Sequence, residues 1–128
     1  MPIRKVVDER AKLLTFEVVG DWTTEEMERT TLEGVRSIAG REGFDAMCDI
    51  TRTGRASTPA EIRRLVQILT EEGSALRGRR AAMVVGNPTS YGMMRMLSAH
   101  TEPIGIEVKV FTDLDEAMRF LRPPEAVR

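Results

Sequence analysis

The sequence predicts an α/β fold with a mixed, mostly parallel five-stranded sheet and four main helices. Short stretches in which apolar residues alternate with polar ones are interleaved with stretches that have a helical period of apolar residues. The run 81–85 is apolar throughout, which is typical of a central strand covered on both faces. Gly86 ends that run, and a helical period begins directly after it.

The five strand stretches differ in how they are connected. They lie at residues 3–8, 12–19, 44–50, 81–85 and 106–111. Only three residues separate the first two, so we expect an antiparallel hairpin there. Each later strand follows a helix, which favours right-handed parallel crossovers. Residues 51–57 have neither period and predict a loop.

Each helical stretch begins at a recognisable cap. Thr23 with Glu26, and Thr58 with Glu61, have the spacing of a capping box, in which hydroxyl and carboxylate each accept a backbone N–H group. Asn87 followed by proline predicts the start of the third helix. The last helix is expected to start within residues 112–116. The first helix is expected to end near Gly40, and Gly73 is expected to be the C-cap of the second.

One face of the predicted sheet carries most of its polar residues. These are Thr15, Glu17, Asp45, Asp49, Glu107 and Lys109. We therefore expect the helices to crowd the other face. The polar face would be partly exposed to water or covered by a partner, and this predicts self-association as a homodimer.

Composition excludes several classes of protein. The 128 residues suit a single domain, 1–128, and the net charge of −1 provides no field that would attract nucleic acid. One cysteine and one histidine give no support for a disulfide framework, a metal site or a cofactor. We interpret Cys48 as a core residue. No stretch approaches the roughly 20 apolar residues of a membrane helix, so a cytoplasmic location is expected.

The order of elements, together with residues 80–85, 87–97 and 108–121, resembles the STAS superfamily and within it the SpoIIAA-like (STAS/SEC14-like) bacterial proteins. The resemblance implies a β/α superhelix with strands in nearly sequential order and no enzymatic activity. In the anti-sigma factor antagonists of this superfamily, a partner kinase phosphorylates a serine at the start of the helix after the third strand. Ser57 and Thr58 occupy roughly that place, although the aspartate and glycine of that motif are absent here.

The sequence predicts a ligand site where two helices begin. The N-termini after strands three and four, at Thr58 and Asn87, could converge near Arg52 and Arg55 and attract a phosphate, a carboxylate or a lipid head group. The hydroxyls of Thr89, Ser90 and Tyr91 could line the mouth of a pocket. Alternatively, Thr58 and Asn87 only cap their helices and the arginines are solvated.

These observations favour a non-enzymatic regulatory domain that binds a protein partner or a small anionic or lipid-like ligand. The eight methionines suit an adaptable core or an apolar cavity. One alternative is an antagonist switched by phosphorylation at Ser57 or Thr58. Another is a hydrolase or transferase using Ser90 or Tyr91, with Asp49 as the carboxylate whose strand end could bring it close.

Overall fold

The computed structural model describes residues 2–123. Its strands are β1 (Ile3–Asp8), β2 (Leu13–Gly20), β3 (Asp45–Thr53), β4 (Arg80–Val85) and β5 (Glu107–Phe111). Its helices are α1 (Thr24–Ile38), α2 (Pro59–Glu71), α3 (Gly73–Leu76), α4 (Pro88–Thr101) and α5 (Leu114–Leu121). A short 3-10 helix, Glu102–Ile104, joins α4 to β5.

The strands lie in the order β1-β2-β3-β4-β5. β1 is antiparallel to β2, and all other neighbours are parallel. This confirms the predicted hairpin and the mixed, mostly parallel sheet. Because β2 to β5 run in the same direction, the loops that lead to α1, α2 and α4 lie at one end of the sheet, which we call the carboxyl edge.

The predicted caps are present. Thr23 and Thr58 each complete a capping box, with Glu26 and Glu61 respectively. Asn87 Oδ1 accepts a hydrogen bond from Ser90 N at 2.8 Å. These contacts join residues only three positions apart, so they form without help from the rest of the chain.

Helices pack on both faces of the sheet, but unequally. Val18 and Val85 of the sheet lie in one apolar cluster with Met27 of α1, Ile62 of α2 and Met94 of α4. On the opposite face α5 packs Ala117 and Leu121 against Leu13, Ala82 and Val84. The sequence pattern therefore predicted the crowded face correctly but did not show that α5 covers part of the other. Beyond α5 that second face is open in the described chain, and Val6 is 43% exposed on it.

The prediction of a loop at residues 51–57 is wrong for its first three residues. β3 continues to Thr53 because Arg52 and Thr53 pair with Val19 and Gly20 of β2. Glu17 pairs with Asp49, and Val19, two residues later, pairs with Arg52, which is three residues after Asp49. β3 therefore carries one extra residue between these two pairs. Such a bulge re-aims the side chains that follow it.

The end of α2 also differs from the expectation that Gly73 would cap it. Glu72 is the C-cap, and its N–H group bonds to the carbonyls of Ile68 and Thr70. Gly73 instead begins α3, which buries Leu76 against Ala81 and Ile106. This tertiary packing of Leu76 explains why the chain turns into a second short helix.

Candidate functional site

Three loops meet at the carboxyl edge. The loop between β2 and α1 lies against the loop between β3 and α2, where Gly54 N donates to Gly20 O at 2.7 Å. The turn between β4 and α4 approaches the end of β3 so closely that a Cβ on Gly86 would stand 2.8 Å from the carbonyl oxygen of Thr51. Glycine is required at residue 86 by this approach. The turn after β4 is therefore adjacent to the end of β3, and the convergence of the helix starts at Thr58 and Asn87 stays a prediction.

The centre of this edge is an ion pair between Arg55 and Glu61. The two guanidinium nitrogens Nη1 and Nη2 each donate to one carboxylate oxygen at 2.8 Å. Arg55 Nε donates to the carbonyl of Trp22 at 3.1 Å, and Arg55 Cζ lies 3.6 Å from the centroid of the Trp22 ring. The planar guanidinium thus uses its donors and its face at once, which lysine could not do.

Glu61 accepts hydrogen bonds from other groups besides Arg55. Its carboxylate also accepts the hydroxyl of Thr24 and, at 2.9 Å, the N–H of Thr58, while the whole residue is only 6% exposed. The hydrogen bonds from Arg55, more than any other contact, lower the pKa of Glu61 to about 2. The ion pair therefore joins the starts of α1 and α2 to the loop that precedes α2.

These contacts bear on the anion site that the sequence predicts. The donors of Arg55 face Glu61, Trp22 and the carbonyl of Ala56 rather than open space. Arg52 lies on the face of the sheet opposite α1, α2 and α4, with Nη2 3.1 Å from Glu17, because the bulge in β3 turns it there. Thr58 and Asn87 act as caps of their helices. An anion site at these residues stays a prediction, and both arginines already have carboxylate partners.

The candidate phosphorylation residues lie beside the same carboxylate. Thr58 Oγ1 accepts the N–H of Glu61 at 3.2 Å, and Ser57 precedes it in the half-buried part of the loop. A phosphate on Thr58 would replace the capping hydroxyl and stand next to the Glu61 carboxylate, and like charges repel. Arg52 and Arg55, the two arginines of the preceding segment, already pair with Glu17 and Glu61, and the switch at Ser57 or Thr58 stays a prediction.

The three hydroxyls at the start of α4 point to different surroundings. Thr89 is exposed, and Tyr91 is 37% exposed with its hydroxyl 3.4 Å from Arg95 Nη1. Ser90 is 1% exposed, and its Oγ has no hydrogen-bond partner among residues 2–123. Asp49 Oδ1 instead accepts the N–H and hydroxyl of Thr51. The base that a Ser90 nucleophile needs is therefore not in contact with it in the described chain.

A second feature lies between the sheet and the helices. A cavity of about 160 Å³, partly open to the surface, is lined mainly by apolar side chains. Phe16, Cys48 and Met83 contribute from the sheet, and Val35, Leu65 and Leu97 contribute from α1, α2 and α4. This is the space that a tightly packed core would fill.

Cys48 is part of this wall. Burial, and to a smaller extent the neighbouring Asp49 carboxylate, raises the pKa of its thiol to about 12. The thiol is therefore neutral at physiological pH and contributes an apolar, polarisable surface with only a weak S–H donor. The sequence correctly placed Cys48 on the inner face of β3, and the structure adds that the inner face borders a void.

Sequence reasoning missed the contributions of Trp22, Thr24 and Glu61 to the carboxyl edge. Glu61 was recognisable only as the last residue of a capping box, a local pattern that says nothing of Arg55 or Thr24. Trp22 lies in a turn, where an aromatic residue gives no periodic signal. Within the described residues no cluster of metal-ligating side chains occurs, and no helix there is long and apolar enough to cross a membrane.

Comparisons with known proteins agree on one fold. A family model described as SpoIIAA-like matches residues 13–122. A crystal structure of an uncharacterised protein of the DUF3478 family from Shewanella loihica PV-4, described as having a SpoIIAA-like fold, superposes with a TM-score of 0.60. That protein is 20% identical, and the match covers 93% of this chain and 91% of the other. No curated protein matches.

Proposed function

Because this chain belongs to the SpoIIAA-like family, we propose that it is a non-enzymatic STAS-type domain that binds a small apolar ligand in the cavity between its sheet and α1, α2 and α4. The cavity is the single observation that carries the proposal. Its lining combines branched aliphatic, aromatic and thioether groups with almost no exposed polar surface. Such a lining favours a ligand without charge.

The volume of the cavity limits the size of the ligand. An engineered apolar cavity of roughly 150 Å³ in another protein stays dry and binds benzene or xenon. The cavity of about 160 Å³ here is of the same order. The ligand that fits without repacking is therefore a single six-membered ring or a short branched alkyl chain. A long acyl chain would need the helices to move.

Two methionines in the wall allow the cavity to enlarge at a small cost in free energy. Met27 of α1 and Met83 of β4 both line it. Unbranched thioether side chains change rotamer at small cost, so the walls can adapt to ligands of somewhat different shape. Thr30, also in the wall, supplies the hydroxyl that could hydrogen-bond a single polar group on an otherwise apolar ligand.

Two arginines line the cavity, and neither favours an anionic ligand. Arg80 Nη1 donates to the carbonyl of Phe120 in α5 at 3.1 Å. Arg79 is in the lining, but its guanidinium donates to the carbonyls of Ile38, Arg41, Phe44 and Ala75. Its donors are thus already used by the backbone. An anion entering the cavity would lose its water without gaining a free donor from Arg79.

Benzene is expected to raise the melting temperature of the protein, because a ligand that binds only the folded state stabilises it. At ten times the dissociation constant the gain is about 1.4 kcal/mol, or about 5 °C for a domain of this size. Differential scanning calorimetry measures this shift. In a second readout, benzene should slow the alkylation of Cys48, which is the sole cysteine and lines the cavity.

Ala46→Leu is expected to abolish both effects, because Ala46 lies in the wall and the larger side chain occupies the void. Ala99→Leu is the matched control, since it adds the same side chain at an exposed position of α4. Absence of any benzene effect on the wild-type protein would contradict the proposal. So would an equal response of the Ala46→Leu and wild-type proteins.

A further inference from the structure

The two edge strands of the sheet, β1 and β5, differ in how far their outward-facing backbone groups are covered. At the β5 edge, Glu107 N donates to Arg79 O at 2.9 Å, so the backbone groups of the next residue, Val108, face outward. Ser98 of α4 donates its hydroxyl to the Val108 carbonyl at 2.6 Å. At this edge one outward-facing carbonyl is therefore already bonded by the protein's own helix.

The β1 edge has no such cover in the described chain. Val19 N donates to Pro2 O at 2.8 Å, which identifies Pro2 and Val19 as a hydrogen-bonded pair of the hairpin. In an antiparallel ladder these pairs recur at every second residue. Arg4, Val6 and Asp8 thus bond to β2, and the N–H and C=O groups of Ile3, Lys5 and Val7 face outward. An open edge of this kind is a template for another strand.

We propose that β1 pairs with β1 of a second copy in an antiparallel, two-fold symmetric contact centred on Val6. The two five-stranded sheets then become one continuous sheet. A two-fold axis perpendicular to the sheet places corresponding faces on the same side and makes the contact self-complementary. Lys5 and Val7 of each chain then exchange backbone hydrogen bonds with Val7 and Lys5 of the other.

The charges along β1 select this register. Centred on Val6, the contact puts Arg4 opposite Asp8 of the second copy, twice. Centred on Arg4 or on Lys5, it puts like charges directly opposite each other on the axis, which is unfavourable. Centred on Val7, it pairs Lys5 with Glu9 but sets Val6 against Asp8 and Arg4 against Arg10. Of these four registers, only the one centred on Val6 joins unlike charges without opposing like charges.

The residues of the proposed contact are free to make it. Val6 is 43% exposed and lies on the open part of the second face. Arg4 has one carboxylate neighbour, Glu17, at the long distance of 3.9 Å. Asp8 uses Oδ1 to accept the N–H groups of Arg10 and Ala11, which leaves Oδ2 for the arginine of the second copy. A six-residue edge is a small interface, so the dimer should form only at high concentration.

Sedimentation equilibrium tests the pairing through charge reversal. The wild-type protein is expected to approach twice its 14.4 kDa mass as its concentration rises. Arg4→Glu places a glutamate opposite Asp8 of the second copy at two places in the contact. This repulsion should raise the dissociation constant of the dimer about tenfold or more. Asp8→Lys should do the same. An equimolar mixture of the two variants should dimerise again, because the introduced glutamate of one chain then meets the introduced lysine of the other, and the remaining Asp8 meets the remaining Arg4.

Recovery in the mixture is a result that a general loss of stability could not produce. Circular dichroism confirms that each variant folds before it is mixed. If one does not fold, Val6→Glu provides a second test, since it brings two carboxylates together on the axis and should abolish the dimer. A wild-type protein that stays at 14.4 kDa at millimolar concentration overturns the proposal. A dimer that is indifferent to these substitutions, or a mixture that stays monomeric, overturns it as well.

Discussion

Glu61→Gln is expected to lower the free energy of unfolding by about 3 kcal/mol at pH 7. The pKa of this carboxyl falls from its ordinary value of 4.5 to about 2 in the folded protein, chiefly because Arg55 donates to both of its oxygens. Glutamine offers one acceptor where the carboxylate offers two, and it leaves the charge of Arg55 unpaired beside Trp22. Urea denaturation at pH 7 measures the difference.

The effect of this substitution should depend on pH with a definite sign. Because the pKa of Glu61 is lower in the folded than in the unfolded chain, its contribution is complete above about pH 5 and is lost as the pH falls towards 2. The difference in stability between wild-type protein and Glu61→Gln should therefore shrink over that range. A difference that stays constant from pH 7 to pH 2.5 would show that the charge does not carry the effect.

Glu26→Gln is the matched control for Glu61. Glu26 has the same position in the capping box of α1 and accepts the N–H of Thr23 at 3.1 Å, but the described chain shows no arginine or threonine side chain bonded to it. Loss of this cap should cost about 1 kcal/mol or less. Equal losses at residues 26 and 61 would mean that capping alone, and not the ion pair with Arg55, stabilises the carboxyl edge.

Arg79→Met is expected to destabilise the protein by about 3 kcal/mol. Arg79 donates to four carbonyl oxygens, of Ile38, Arg41, Phe44 and Ala75, at distances from 2.7 to 2.9 Å. It thus joins the end of α1, the start of β3 and α3 at the border of the cavity. Methionine keeps the apolar stem but leaves these acceptors without their donors.

The urea midpoint reports this loss, with an unchanged m-value as evidence that the unfolding transition itself is the same. Arg77→Met is the control, because Arg77 is an exposed residue two positions earlier. Its substitution should alter the stability by no more than about 0.5 kcal/mol. If both variants lose the same stability, the four carbonyl contacts of Arg79 are not what holds these elements together.

Local signals accounted for most of the fold. The caps at Thr23, Thr58 and Asn87 depend on residues three positions away, and the alternation along β5 depends on its immediate neighbours. Both patterns can be recognised in the sequence without knowledge of the tertiary packing. The end of β3 could not be predicted in this way, because Arg52 and Thr53 become part of a strand only by pairing with Val19 and Gly20, which lie far earlier in the chain.

The sequence alone determined the order of the elements, the starts of the helices, the crowded face of the sheet and the resemblance to the SpoIIAA-like family. Tertiary structure decided what the predicted site residues contact. Arg52 and Arg55 are close in sequence, yet a bulge directs one to Glu17 and the start of α2 directs the other to Glu61. The cavity also belongs to the tertiary structure alone, because an unfilled volume depends on how side chains from β2, β3, β4, α1, α2 and α4 meet, and no single stretch of sequence encodes it.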